Sequence, residues 1–163
     1  MTALRHVISV CAGYLVQELL LTTAGISAAI ASPSGYFEYF GKENLLAALG
    51  IWSFVTFAVP QFLIAVLLAW ICIRLLGTRT SMVVAFLTGV VICWLGYMAF
   101  FPGPDGQSQL LSAGQFFNLV RQIYFENLWQ LPSSWASWLG LVAGIWLARR
   151  KRAHVPQSPR TEA

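Results

Sequence analysis

Aspartate occurs once in the sequence, at Asp105, and histidine twice, at His6 and His154. That inventory excludes a paired-aspartate membrane protease, a phosphotransferase built on several aspartates, bis-histidine haem ligation in a bilayer and the HExxH zinc helix, since each needs residues the chain lacks. The cysteines, Cys11, Cys72 and Cys93, are odd in number and form no CxxC pair. Neither a disulfide relay nor a disulfide-stapled secreted fold is indicated, and the three read as small packing residues. Charge is scarce too: Asp, Glu, Lys and Arg make up 10% of the 163 residues, against about a quarter in a soluble globule. No internal repeat emerges when the first two apolar segments are laid on the last two, so an inverted-repeat transporter plan gains no support.

What is present is apolar. With 58% hydrophobic residues and a mean hydropathy of +0.68, the chain cannot cover itself with polar surface, and its solvent is expected to be lipid. Four segments, near 7–31, 45–73, 81–101 and 128–148, are long enough to cross a hydrocarbon core of about 30 Å, which takes roughly 20 helical residues. The second is the longest, and Pro60 gives it a place to bend. The fourth starts least cleanly, because Pro132, Ser133 and Ser134 interrupt it, and its firmest part is Trp135 to Ala148. The predicted fold is an all-α integral membrane protein: a four-transmembrane-helix bundle over 1–148, an outer amphipathic interfacial helix at about 112–127, and a short, flexible basic cytoplasmic tail over 149–163.

Orientation follows from the cationic residues, which cytoplasmic segments retain. With four spans and both termini inside, that side receives Arg5, Arg74, Arg79, Arg149, Arg150, Lys151, Arg152 and Arg160, and the other receives Lys42 and Arg121. The expected location is the bacterial cytoplasmic (inner) membrane, with both termini cytoplasmic. The cluster Arg149, Arg150, Lys151 and Arg152 serves as the stop signal of the last span and as a contact for anionic lipid headgroups, each basic residue contributing about 1 kcal/mol near the surface. It lies beside the membrane without a recognition fold, so nucleic acid is not an expected partner. A cleavable signal at the N-terminus, with Ala29-Ile30-Ala31 as its cleavage site, is disfavoured because the apolar stretch far exceeds the usual length of about 7 to 15 residues.

The outer connections carry aromatic residues. Tyr36, Phe37, Tyr39 and Phe40 form an anchor belt at headgroup depth. After the turn cluster Pro102 to Gly106, the residues Phe116, Phe117, Val120, Ile123, Tyr124 and Phe125 alternate with Gln115, Asn118, Arg121, Gln122 and Glu126 at helical spacing. This is the pattern of a helix lying on the outer leaflet or capping the bundle, and a partner-binding or gating element is its functional alternative.

Glu18 is the one acidic residue inside an expected span. A charge at that depth costs about 2.5 to 3.5 kcal/mol, so such residues face a bundle interior or an aqueous cavity rather than lipid. It shares a helical stripe with Cys11, Tyr14, Thr22, Gly25 and Ala29, while Ser9, Gly13, Thr23 and Ser27 make an opposite stripe of the same small and polar kind. The first helix is therefore expected to pack on two sides. Gln17, Thr22 and, on the second segment, Gln61 complete a candidate intramembrane polar site. Pro60 frees the carbonyl of Thr56, and a protonated Glu18 could donate to it or pair with Gln61. Glu18 reads either as an interhelical hydrogen bond that fixes packing or as a proton- or cation-binding carboxylate. With Thr22 and Thr23 following it, Glu18 resembles the first helix of the small multidrug-resistance exporters, four-helix proteins with a membrane-embedded glutamate. The resemblance covers that one stretch, and the segment from Pro102 to Asn127 and the basic tail depart from the family's compact plan.

Small residues mark where helices approach. Ala136, Gly140, Gly144 and Ala148 recur every fourth residue, as do Ala85, Gly89 and Cys93. They favour close packing within the chain or against another subunit, a protein partner or a homo-oligomer. The seven tryptophans are expected to be packing residues or interface anchors. No cofactor or metal is expected. The function this inventory favours is a non-catalytic subunit or assembly factor of a membrane complex. Its alternative is a small proton-coupled transporter or channel-like oligomer using Glu18, and an enzyme acting through Glu38, Glu43, Asp105 or Glu126 has no spacing pattern behind it.

Overall fold

Backbone amides that cannot reach water must bond to one another, and runs rich in Ala, Leu, Val and Ile do so locally, as helices. The computed structural model describes residues 2–30, 45–100, 110–126 and 131–150, and among these every regular element is helical. Helix α1 spans Thr2–Ile30, α2 Leu45–Ser53, α3 Val59–Leu76, α4 Thr80–Ala99, α5 Ala113–Arg121 and α6 Leu131–Arg150. A π-helical turn, Phe54–Ala58, joins α2 to α3, and a second, Gln122–Glu126, extends α5. The expected second segment is thus one rod with a bulge in it. Pro60 lies just past that bulge, in the first turn of α3, where a missing N–H and a bulky ring are tolerated; the extra residue per turn absorbs the clash with the preceding backbone.

Three stretches are long and apolar enough to cross a membrane: Ala3–Ala24, Ala47–Leu76 and Thr80–Ala99. The expected fourth span is helical over Leu131–Arg150 but is not among those three. Pro132, Ser134 and Ser137 occupy its early turns and shorten its apolar stretch. The anchor belt at 36–40, the turn cluster at 102–106, and Lys151, Arg152 and the rest of the tail lie outside the described residues.

Contacts pair the helices alternately. Ser9 Oγ donates to the carbonyl of Met82 at 2.8 Å, Gly13 abuts Phe86 and Val90, and Cys93 reaches Glu18. Residue numbers rise together along this seam, so α1 and α4 run parallel. The same holds for α3 and α6, where Gly140 lies on Phe62 and Ala65 and Gly144 on Val66 and Ala69. The connection from α3 to α4 is only Gly77 to Arg79, and Gly77, at φ 123°, makes the turn with its N–H on the carbonyl of Ile73. The pairs are therefore antiparallel to each other. Between them lies a core that includes Leu20, Ala65, Ala69, Phe86, Val90 and Leu141.

The distribution of polarity is that of a chain solvated by lipid. Ser9, Gln17 and Gln61 are buried, whereas Leu63, Leu67, Leu139 and Val142 are each more than half exposed. Water would reverse that arrangement. One end of the bundle is basic: Arg5 and Arg79 line a common recess of about 420 Å³, and Arg149 donates to the Thr80 hydroxyl at 3.0 Å. Arg74 lies over the Trp70 ring at 5.4 Å and Arg150 over Trp146 at 5.0 Å, each a cation on the aromatic residue one turn earlier.

Candidate functional site

The expected polar site at Glu18, Gln17, Thr22 and Gln61 divides in two. Successive helical residues point about 100° apart, so when α1 buries the seam Ser9, Gly13, Val16 and Leu20 against its neighbours, Gln17 turns inward and Glu18 outward. Gln17 is 3% exposed and Gln61 4%. Gln61 Nε2 donates to the Leu20 carbonyl and to Thr23 Oγ1, both at 3.2 Å. These bonds tie α3 to α1, and the expected pairing of Glu18 with Gln61 is not formed. Nor does Glu18 approach the turn before Pro60, where the Thr56 hydroxyl donates to the Trp52 carbonyl at 2.6 Å.

Glu18 instead lies exposed on the outer side of the α1–α4 seam. Among the described residues its side-chain hydrogen bond is to the Cys93 thiol, which donates to Oε2 at 3.5 Å. Thr22, also exposed, turns its hydroxyl back onto the Glu18 carbonyl at 2.9 Å. Cys11, Tyr14, Glu18 and Thr22 form one exposed stripe, so over these described turns α1 packs within the chain on the opposite side. The packing demanded by Ser9 and Gly13 decides the rotation of the helix, and the carboxyl is carried outward with it.

Gln17 and Gln61 face a cavity of about 640 Å³ between the two helix pairs, toward the end away from Arg5, Arg79 and Arg149. Aromatic side chains, Phe57, Trp94, Tyr97 and Tyr124, are part of its lining. The Tyr124 hydroxyl, on the π-helical turn after α5, accepts from Trp94 Nε1 at 2.8 Å and from Trp138 Nε1 at 3.2 Å. Trp135 Nε1 donates to the Tyr124 carbonyl at 3.1 Å, and Trp94 meets Phe116, Tyr124 and Trp138 edge-to-face with centroids 5.9 to 6.3 Å apart. Helix α5 is begun by a reciprocal cap, in which Ser112 Oγ accepts from Gln115 N and Gln115 Oε1 accepts from Ser112 N. That cap and the indole bonds fix Tyr124 over the bundle.

The sequence puts Tyr124 on an amphipathic helix that lies on the outer leaflet or caps the bundle, and the tryptophans among packing residues or interface anchors, but nothing in that pattern joins them through one hydroxyl. The available signal was Trp135 and Trp138, three residues apart and hence on one face of α6, with two indole N–H groups that need acceptors once buried. The packing residues Gly89, Gly140 and Gly144 all lie buried in helix seams. Of the headgroup cluster, Arg149 and Arg150 are exposed at the end of α6. Among the described residues no group of three His, Cys, Asp or Glu side chains is placed to hold a metal ion. The chain matches no protein-family model, no curated protein and no solved structure.

Proposed function

We propose that the chain is a non-catalytic subunit or assembly factor of a bacterial inner-membrane complex, and that the Glu18 stripe of α1 is its contact surface. The observation that carries this reading is the exposure of Glu18 well inside a membrane-length helix. A carboxyl in contact with lipid there costs about 2.5 to 3.5 kcal/mol, a cost removed when a second helix brings a polar or cationic group to it. Cys11, Tyr14 and Thr22 beside it offer a small and polar surface of the kind that transmembrane helices use for association. In this reading α6 is the fourth span, α5 lies at the outer interface, and the arginine-rich end faces the cytoplasm with both termini.

A photo-crosslinking residue at Leu15 or Leu19, beside Glu18, tests the contact in native membranes, with Val142 on α6 as the control position. Discrete adducts are expected from the first two sites and none from the control. Adduct mass then separates a second copy of this chain from a different subunit, and equal labelling at all three positions would overturn the reading.

The same exposure favours a second reading, a homo-oligomer in which Glu18 carboxyls from adjacent copies line a proton or cation path. Proton flux in proteoliposomes that disappears in Glu18→Gln would select it.

A further inference from the structure

We propose that the cavity between the helix pairs binds an uncharged, polyhydroxylated group, a glycosyl or glycerol moiety, either free or carried as the headgroup of a lipid. The volume of about 640 Å³ lies within the range of small-molecule sites. Among the described residues, its lining contains no Asp, Glu, Lys, Arg or His. A phosphate, carboxylate or ammonium group buried there would lose its hydration with no opposite charge to meet, so the ligand is neutral.

The polar groups left over define the rest. Tyr124 is 8% exposed, and its hydroxyl already accepts two indole N–H groups. A hydroxyl has two lone pairs, so what remains is the O–H proton, a donor held in place by Trp94 and Trp138. Gln17, at 3% exposure, has no hydrogen-bond partner for its amide among the described residues, and this amide both donates and accepts. Gln61 uses its Nε2 on α1, leaving Oε1 as an acceptor. Ser134 and Ser137 line the same cavity and, unlike Thr22, Thr56 and Thr88, do not turn their hydroxyls onto the backbone carbonyl one turn back.

Several polar groups with hydrogen-bonding capacity to spare converge on one cavity, and such a lining favours a ligand that engages them together. The set contains fixed donors and fixed acceptors, so the ligand must both accept and donate. Hydroxyl groups do both. A quinone or ester carbonyl only accepts, and it would leave Gln61 Oε1 unmet. Phe57 and Trp94 in the same lining provide apolar surface for the C–H side of a sugar ring or a glycerol chain.

The test uses the full-length chain in phosphatidylcholine nanodiscs doped with monoglucosyl-, monogalactosyl- or glyceryl-headgroup diacyl lipids. Controls are phosphatidic acid and a diacyl lipid ending in a methyl ester. Native mass spectrometry reads the retained lipid. Retention of at least one polyol lipid, one molecule per chain, over both controls is expected, falling about tenfold in Gln17→Met and in Tyr124→Phe. Gln17→Met breaks no hydrogen bond within the chain, so it keeps the test valid if Tyr124→Phe unsettles the tryptophans. Displacement by free methyl glucoside or glycerol marks a soluble ligand, and resistance to both marks a lipid-borne one. Equal retention of the methyl-ester lipid, no retention of any polyol lipid, or indifference to Gln17→Met would overturn the proposal.

Discussion

Gly13 on α1 and Gly89 on α4 occupy reciprocal positions. A Cβ at Gly13 would meet the carbonyl oxygen of Phe86, three residues before Gly89, and a Cβ at Gly89 would meet that of Val10, three residues before Gly13. Each glycine thus lies over the equivalent carbonyl of the other helix, a local two-fold relation between parallel helices. In lipid no hydrophobic force draws two apolar helices together, and close backbone contact of this kind supplies the attraction instead. The α3–α6 pair uses a one-sided version, with Gly140 and Gly144 on α6 facing Ala65 and Ala69 on α3.

Two glycines of α4 should therefore respond oppositely to the same change. At Gly89 an added methyl collides with backbone that cannot rotate away, and Gly89→Ala should destabilise the fold by about 3 kcal/mol, the upper part of the usual range for overpacking. Gly96 has nothing within 4 Å, and Gly96→Ala should be neutral or stabilising by up to about 1 kcal/mol, from helix propensity. Thermal unfolding in detergent micelles, followed by circular dichroism, checks both. Equal effects at the two positions would dismiss the close crossing.

The helices and the small-residue seams were legible because both depend on local composition and on spacing along one rod. Gly89, Gly140 and Gly144 could be read as contact points from their regular recurrence with alanine. Which rod each would meet could not, since the pairing of α1 with α4 depends on Gly13 and Ser9, residues of the stripe opposite Glu18. That long-range choice also decided the polar site. It turned Gln17 inward and Glu18 outward, and the sequence offered two equivalent stripes with nothing local to choose between them. The Tyr124 hub was hidden for a related reason: its hydrogen bonds join Trp94, Trp138 and Trp135, residues up to 30 positions from Tyr124.

The Tyr124 hydroxyl holds two indoles, so its removal should cost more than the removal of either donor. Tyr124→Phe leaves Trp94 Nε1 and Trp138 Nε1 without an acceptor, at about 1 to 3 kcal/mol of desolvation each. Trp138→Phe removes one donor together with its need, and should cost less. Near-ultraviolet circular dichroism should show loss of the fixed tryptophan signal in Tyr124→Phe and most of it retained in Trp138→Phe. Identical spectra for the two variants would mean that the hydroxyl does not organise the cluster.

The gathering of Arg5, Arg79 and Arg149 at one end of the bundle predicts opposite accessibility for positions 42 and 150. In a chain with Cys11, Cys72 and Cys93 replaced, a membrane-impermeant maleimide added to spheroplasts should label Lys42→Cys at once. Arg150→Cys should react only after the membrane is opened. Labelling of both from the same side would remove the assignment of the basic end to the cytoplasm, because positive residues are retained on that side during insertion.

Glu18 separates a lone carboxyl from a partnered one by the sign of a single substitution. If lipid surrounds it in the working assembly, Glu18→Leu removes an expensive group and should raise stability, by up to the 2.5 to 3.5 kcal/mol or so that a mid-membrane acid costs. If a neighbouring helix meets it, the same change leaves that helix's polar group unmatched in lipid, and the assembly should weaken while the isolated chain becomes more stable. Glu18→Gln keeps a hydrogen-bonding group of nearly the same shape and should preserve assembly in part, whereas leucine cannot. The Cys93 thiol, at 3.5 Å, is too weak a donor to offset the cost of exposure by itself, which is why a partner is expected. Native gel mobility from mild detergent, measured for the wild type and both variants beside the unfolding temperature of the dissociated chain, gives the two signs in one experiment. A leucine variant that assembles normally and unfolds later would show that nothing binds at this stripe.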